Sequence, residues 1–274
     1  MLKQLIRFQK INNKIHAIDY GGFENRNISM IKLFSAVAPQ ITKTKYDILV
    51  YTGDHPYDQN YNADMLFSFC TVKEYYLDVC PDFLFDSWLH TGIQDYFSIK
   101  NFLSYRGKLN PQSDKIGWIG GLHSQPRKIL YEMGQSNKYH FLDILSIDLS
   151  KKNKQDQFIT LPEQINKWKY LIDLEGNGYS ARLKLFLGSN RITFVVDRPY
   201  KEFFFEFMVP WRHYIPIKRD LSDLEQNYQK IESDPSLQKY ILSESENFSN
   251  TYLSRNFAFN LWIHKINKKL CQNS

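Results

Sequence analysis

The sequence predicts an α/β protein, and three observations carry that expectation. Short apolar runs alternate along the chain with segments of helical character, and no internal repeat or low-complexity block interrupts them. Two of the runs, KIGWIGG at 115–121 and WKYLIDLEGNG at 168–178, pass straight into glycine turns followed by helix-opening residues, the form of a strand–turn–helix unit. A chain of 274 residues has room for one large or two compact domains.

Taken in order, residues 14–19 read as a strand and 27–38 as a helix or a strand–helix element. KYDILVY at 45–51 is a clearer strand, a compact apolar run stopped by Thr52-Gly53-Asp54-His55-Pro56, where glycine and proline force a turn. A second strand at 65–69 leads to Thr71 and Glu74, which have capping-box spacing, so a helix or short turn carrying Tyr75 and Tyr76 is expected before Pro81. Residues 82–114 show no sustained period and read as loops and short helices, with a domain boundary near 110–114.

Beyond it, 115–121 is a strand, and Ser124 with Pro126 opens a helix by a capping hydroxyl and an early proline. An apolar segment at 139–148 and the charged loop KKNKQDQ precede the stretch around which the chain is organised, 167–223. There a strand at 169–174 meets Glu175-Gly176-Asn177-Gly178, a short helix holding Ser180, Arg182 and Lys184 closes at Gly188, and RITFVVD forms the next strand. Ser222 and Glu225 make a second capping box for a helix to 232. Residues 236–271 read as two or three helices, the last with Phe257, Leu261, Trp262 and Ile266 on one face.

Composition narrows the partners. Hydrophobic residues make up 43% of the chain, enough for a core, and the 18 Tyr and 20 Phe are assigned first to packing and second to stacking on sugars or bases. A formal charge of +6 suits an acidic ligand, a phosphorylated glycan or an anionic membrane surface. Nucleic acid is not expected, because Lys and Arg are spread along the chain and no run gathers five of them. Cys70, Cys80 and Cys271 have no metal-type spacing and cannot all pair, which fits a reducing compartment. Residues 1–22 are broken by charges every few positions, unlike a signal peptide or a membrane anchor, so a cytoplasmic protein is expected.

Two turns could hold an anion. After the strand at 169–174, a helix start would aim backbone N–H groups and its dipole at the turn, Gly176 and Gly178 would admit a ligand, Ser180 adds a hydroxyl and Arg182 a planar cation. An ordinary β-turn-α unit with a capping serine and a solvated arginine accounts for the same residues. The second turn is Gly120-Gly121, with His123, Ser124 and Arg127 nearby. Asp54, on a glycine turn at a strand end, could be a base projecting into a cleft or simply a turn former.

YLIDLEGNGYSARLK, KEFFFEFMVPW and above all PWRHYIPIKRDLSDL resemble the C-terminal half of glycosyltransferase family 90. That family includes protein O-glucosyltransferases, capsule xylosyltransferases and lipopolysaccharide-modifying enzymes. The resemblance implies a GT-B type fold, two Rossmann-like domains facing a cleft: an acceptor domain at 1–112 and a UDP-sugar donor domain at 113–274, the last helix crossing back. ILVYTGDHP followed by MLFSFCTVKEYYLDVCP resembles the family segment that carries the base, which implies Asp54 in that role, with His55 where the family often has Tyr. Ser180 and Arg182, after Gly178, match a Ser-x-Arg expected to bind the UDP phosphates, so that no metal or other cofactor is required.

WIGGLHSQPRK resembles a family stretch in which Gly120 and His123 stand in place of two arginines, while Gly121, Ser124 and Pro126 are kept. Either Arg127 replaces the lost contact or phosphate is held less tightly. Asp197 is expected to face the donor and Glu202 to help position the sugar. Glu206, Trp211, Arg212 and His213 lie in the resembled loop, and several of them are expected to be structural. The implied activity is inverting, metal-independent transfer of xylose or glucose from a UDP-sugar to a hydroxyl of a glycan acceptor, in a bacterial or viral type of enzyme. A non-catalytic nucleotide- or glycan-binding module is the alternative, and a basic nucleic-acid binder a more distant one, marked by steep loss of affinity with salt. The sequence sets no oligomeric state.

Overall fold

The computed structural model describes residues 3–56, 65–72, 78–147 and 158–272. Glu74, Tyr75, Tyr76 and the loop KKNKQDQ lie outside the described residues. The chain forms two compact units, one of Met1–Tyr96, Pro199–Glu206 and Tyr252–Ser274, the other of Phe97–Arg198 and Phe207–Thr251. The chain passes between them after Tyr96, Arg198, Glu206 and Thr251, where a boundary at 112/113 and a last helix returning to the first domain are expected; the last helix does belong to the first unit.

The first unit begins with a hairpin of β1 (Leu5–Ile11), which the sequence reading leaves unassigned, and β2 (Lys14–Asp19), which matches the strand read at 14–19. Ile11 pairs with Lys14, so the connection is the two residues Asn12 and Asn13, both at positive φ (50° and 60°). Positive φ at both positions matches the twist of an antiparallel hairpin, and asparagine tolerates it. β1 pairs antiparallel with β3 (Tyr46–Tyr51), and β3 pairs parallel with the short β4 (Leu66–Phe67). The sheet order is β2-β1-β3-β4. This mixed sheet differs from the Rossmann-like arrangement expected of the N-terminal domain, since a two-residue turn can join only antiparallel neighbours.

Ile6, Phe8, Ile48 and Val50 share one buried face of that sheet and meet α1 (Glu24–Val37) through Met30, Leu33, Phe34 and Val37. Phe8 stacks on Phe34 with ring centroids 3.9 Å apart, and Trp262 of α8 (Arg255–Gln272) meets Phe34 and Phe67 edge-on.

α2 (Tyr96–Gly107), which leads into the second unit, falls where loops and short helices are expected. Its inward positions Tyr96, Lys100 and Leu103 keep helical spacing, but one is a lysine, while Phe97, Phe102 and Tyr105 point to solvent. The hydrophobic period is therefore inverted locally and gives no signal. A five-stranded sheet follows: β5 (Ser113–Gly120), β6 (Leu142–Ser146), β7 (Trp168–Asp173), β8 (Ile192–Val196) and β9 (Ile215–Ile217). Every pairing is parallel, in the order β6-β5-β7-β8-β9.

Numbered within the sheet this is 2-1-3-4-5, a doubly wound order. The crossovers carry α3 (Gln125–Gln135), α4 (Leu161–Lys167) and α5 (Leu183–Leu187). β7 and β8 are almost entirely buried, which is why they read as continuous apolar runs. The core gathers Ile116, Trp118, Tyr170, Ile172, Phe194 and Ile215 from the strands and Leu130, Leu224 and Ile241 from the helices.

α6 (Leu224–Glu232) ends where expected, but its N-cap position is Asp223 rather than Ser222, and no side-chain cap bond forms there. α7 (Pro235–Tyr252) and α8 complete the chain. Among the described residues, no helix is long and apolar enough to cross a membrane.

Candidate active site

In an open parallel sheet, ligands bind at the carboxyl ends of the strands where the strand order reverses. Here that point lies between β5 and β7, at Gly120 and Asp173. Asp173 has no exposed surface and pairs with Arg198, just past β8, at 2.7 Å (Nη1 to Oδ2). Arg198 Nη2 also donates to the Asp173 carbonyl at 2.9 Å, and Ser180 Oγ donates to Asp173 Oδ1 at 2.7 Å. The single hydroxyl proton of Ser180 is thereby committed to the carboxylate. Two residues on, Glu175 is 5% exposed and holds Arg219 Nη1 at 2.6 Å.

The remaining two arginines of the group have no carboxylate in ion-pair contact among the described residues. Arg127, 8% exposed, donates Nε to the Glu175 carbonyl (2.6 Å) and Nη1 to the Gly121 carbonyl (2.9 Å). Its Nη2 has no hydrogen-bond partner among the described residues and lies beside the Gly176 turn, 3.6 Å from where a Cβ on Gly176 would stand. Arg182 donates Nη1 to the Ile119 carbonyl at 2.8 Å, and the rest of its fork is unpaired among the described residues. Burial, then the nearby charge of Arg182, pushes the pKa of Arg127 down to about 10. Arg182 is lowered too, by burial first. Two like charges are therefore held near each other at the strand ends, with donors left over.

The local structure departs from the expected helix-terminus site. α5 starts at Leu183, ten residues past the end of β7, and is only five residues long, so side chains rather than a helix dipole supply the donors. Ser124 sits at the N-cap of α3, but its hydroxyl makes no cap bond; Pro126 at the second helical position has no N–H to offer, and Ser124 Oγ is buried without a partner.

A Cβ on Gly120 would fall 2.7 Å from Trp118, and one on Gly121 2.4 Å from the His123 ring. The rings of Trp118 and His123 thus occupy the space beside the two glycines. His123 itself is exposed, so the structure brings Arg127 rather than His123 into the strand-end group. Asp197 ends β8 and is exposed.

Asp54 and Glu202 belong to the first unit. Asp54 follows the C-terminal end of β3 and accepts Arg26 Nη1 on Oδ1 at 2.7 Å. Glu202 is 2% exposed and follows Lys201, whose backbone pairs with Thr71. In the later loop, His213 is packed: its Nδ1 accepts the Val209 N–H at 3.0 Å, its ring lies on Phe248, and burial lowers its pKa. Arg212 pairs with Glu244, Trp211 lies under Lys230 at positive φ (62°), and Glu206 is exposed.

Sequence reasoning missed Asp173, Arg198, Glu175, Arg219 and Arg26. A signal existed for the first two, each a charged residue at the carboxyl end of an apolar run. For Arg219 and Arg26 the contacts arise only from the tertiary fold.

A family model described as Glycosyl transferase family 90 matches residues 2–269. Protein O-glucosyltransferase 2 of Danio rerio is 23% identical over 271 residues, 95% of this chain and 54% of the relative. Protein O-glucosyltransferase 1 of Rattus norvegicus is 34% identical over 82 residues, 30% of this chain and 21% of the relative. Uncharacterized protein 179R of Invertebrate iridescent virus 6 is 32% identical over 138 residues, 48% of this chain and 11% of the relative. The chain thus spans about half the length of the first of these.

The buried pair makes one energetic prediction. Arg198→Met leaves the Asp173 carboxylate buried without its ion-pair partner and is expected to cost about 3–5 kcal/mol in denaturant unfolding, whereas the double change with Asp173→Asn recovers part of that loss. Equal unfolding midpoints for Arg198→Met and the unaltered protein would show that the pair is not what holds these strand ends.

Proposed function

The chain belongs to glycosyltransferase family 90, and from that premise we propose that it transfers xylose or glucose from a UDP-sugar to a hydroxyl of a glycan acceptor, with inversion and without a metal ion. The observation that carries the reading is the pair of guanidinium groups, Arg127 and Arg182, that share the β5 and β7 strand ends without a carboxylate in ion-pair contact among the described residues. A diphosphate supplies the missing negative charge and accepts the unused N–H groups. The names of the relatives, protein O-glucosyltransferases, support glucose as the sugar.

In this reading the second unit holds the donor. Arg127 and Arg182 grip the diphosphate, and the Ser124 hydroxyl adds a donor, while Ser180 stays on Asp173 and fixes the turn. Charge grows on the diphosphate as the C1–O bond to it breaks and the electron pair leaves with UDP, so fixed cations there lower the barrier. Asp54 of the first unit takes the proton from the acceptor hydroxyl as its oxygen bonds to C1.

The test is release of UDP from a panel of UDP-sugars, with and without glycan acceptors. Asp54→Asn is expected to lower turnover by about 10²–10⁴ while UDP still binds; near-normal turnover removes Asp54 from the role, and binding with no release under any condition favours a binding module. EDTA is expected to leave turnover in place, and a loss reversed by magnesium or manganese would refute the metal-free mechanism. Arg127→Gln is expected to weaken UDP binding about 10–100-fold in calorimetry and to leave uridine binding unchanged, as loss of a charge-assisted bond to phosphate requires. His123→Ala is expected to leave both unchanged; the reverse pattern would move the contact to His123.

A further inference from the structure

Resting on the proposed role of Asp54, we infer that Arg26 is its positioning residue and determines which carboxylate oxygen accepts the proton. Arg26 lies in the first turn of α1, and its guanidinium carbon sits 4.0 Å from the ring centroid of Phe23 and 4.9 Å from that of Phe83. The planar group is slotted between two aromatic rings, which favours a fixed orientation. From there Nη1 donates to Asp54 Oδ1 at 2.7 Å and to the Thr52 carbonyl at 3.2 Å. Asp54 Oδ2 has no hydrogen-bond partner among the described residues. In this inference the clamped oxygen is Oδ1, and Oδ2, unpartnered among the described residues, is the proton acceptor.

The fold does not depend on this contact. The end of β3 is already tied by Thr52 N–H to the Gln4 carbonyl (2.8 Å), by Thr52 Oγ1 to Asn27 Oδ1 (2.8 Å) and by Cys70 Sγ to the Asp54 carbonyl (3.6 Å). The Arg26 and Asp54 side chains keep 17% and 29% of their surface in solvent, and partly exposed ion pairs contribute little to stability. A guanidinium so well fixed, on a pair that stabilises so little, acts on the orientation of the carboxylate. Misplacing a reacting group by about 1 Å can cost on the order of 100-fold in rate.

The experiment compares UDP release from UDP-glucose and UDP-xylose by Arg26→Ala, Arg26→Lys and Asp54→Asn. Arg26→Ala is expected to lower kcat about 10–100-fold with UDP affinity and melting temperature unchanged. Low-millimolar free guanidinium is expected to restore part of the loss by entering the slot between Phe23 and Phe83. Arg26→Lys keeps the charge without the planar fork and is expected to restore less than the wild-type rate. Turnover within twofold of wild type in Arg26→Ala overturns the inference. So does a rate loss that tracks a fall in melting temperature, appears also in Arg26→Lys and ignores guanidinium. Normal turnover in Asp54→Asn is a different failure, that of the base itself, and takes the inference with it.

Discussion

A carboxylate without exposed surface needs a partner delivered by the fold, and Asp173 receives Arg198 from the neighbouring strand end. The contact does more than neutralise a charge. Arg198 also satisfies the Asp173 carbonyl, so β7 and β8 are joined where their ladder stops. The other arginines repeat the device: Arg182 reaches from the β7–β8 connection to the Ile119 carbonyl, and Arg127 spans the Gly121 and Glu175 carbonyls beyond β5 and β7. Buried carbonyls at the end of a parallel sheet need donors, and here guanidinium groups provide them. Because each guanidinium carries more N–H groups than these carbonyls use, the same residues that close the sheet keep donors and charge in reserve.

The first unit shows the same economy with a different polar group. Asn27 takes the Thr52 hydroxyl on its carbonyl oxygen and donates its amide to Asp19, linking the helix start to β3 and to the loop after β2. Arg26, its neighbour in sequence, reaches the same turn from the same helical turn. The location of Asp54 therefore depends on where α1 begins, and α1 begins against a hairpin whose two-residue turn is fixed by asparagines at positive φ.

The parts of this arrangement that could be read from the sequence are those set by local chemistry. β3, β5, β7 and β8 are apolar runs ended by turn residues, and α3 starts where a serine and a proline mark it. β2 was legible as a strand, but β1 escaped notice because its run, LIRFQKI, is interrupted by the charged and polar residues Arg7, Gln9 and Lys10. α2 escaped because a lysine points inward and aromatics outward. Of the candidate site, Asp54, Ser180, Arg182 and Arg127 could be named from turns and from resemblance, but Arg26 and Arg219 could not. Their partners lie 28 and 44 residues away, a separation at which neither spacing nor propensity carries information.

The departure at Gly120 and His123 then has a steric cause within this chain. A side chain at 120 would meet the Trp118 ring, and Trp118 is a fully buried core residue of β5, so the indole and a residue larger than glycine compete for one space. Arg127 lies over that same indole, 5.3 Å from its centroid, and its fork extends to both strand ends. The tryptophan that excludes a cation at 120 is the surface on which the cation from α3 rests. The position of Arg127 at this edge of the sheet is thus tied to core packing, and a change at Trp118 removes the surface on which its guanidinium rests.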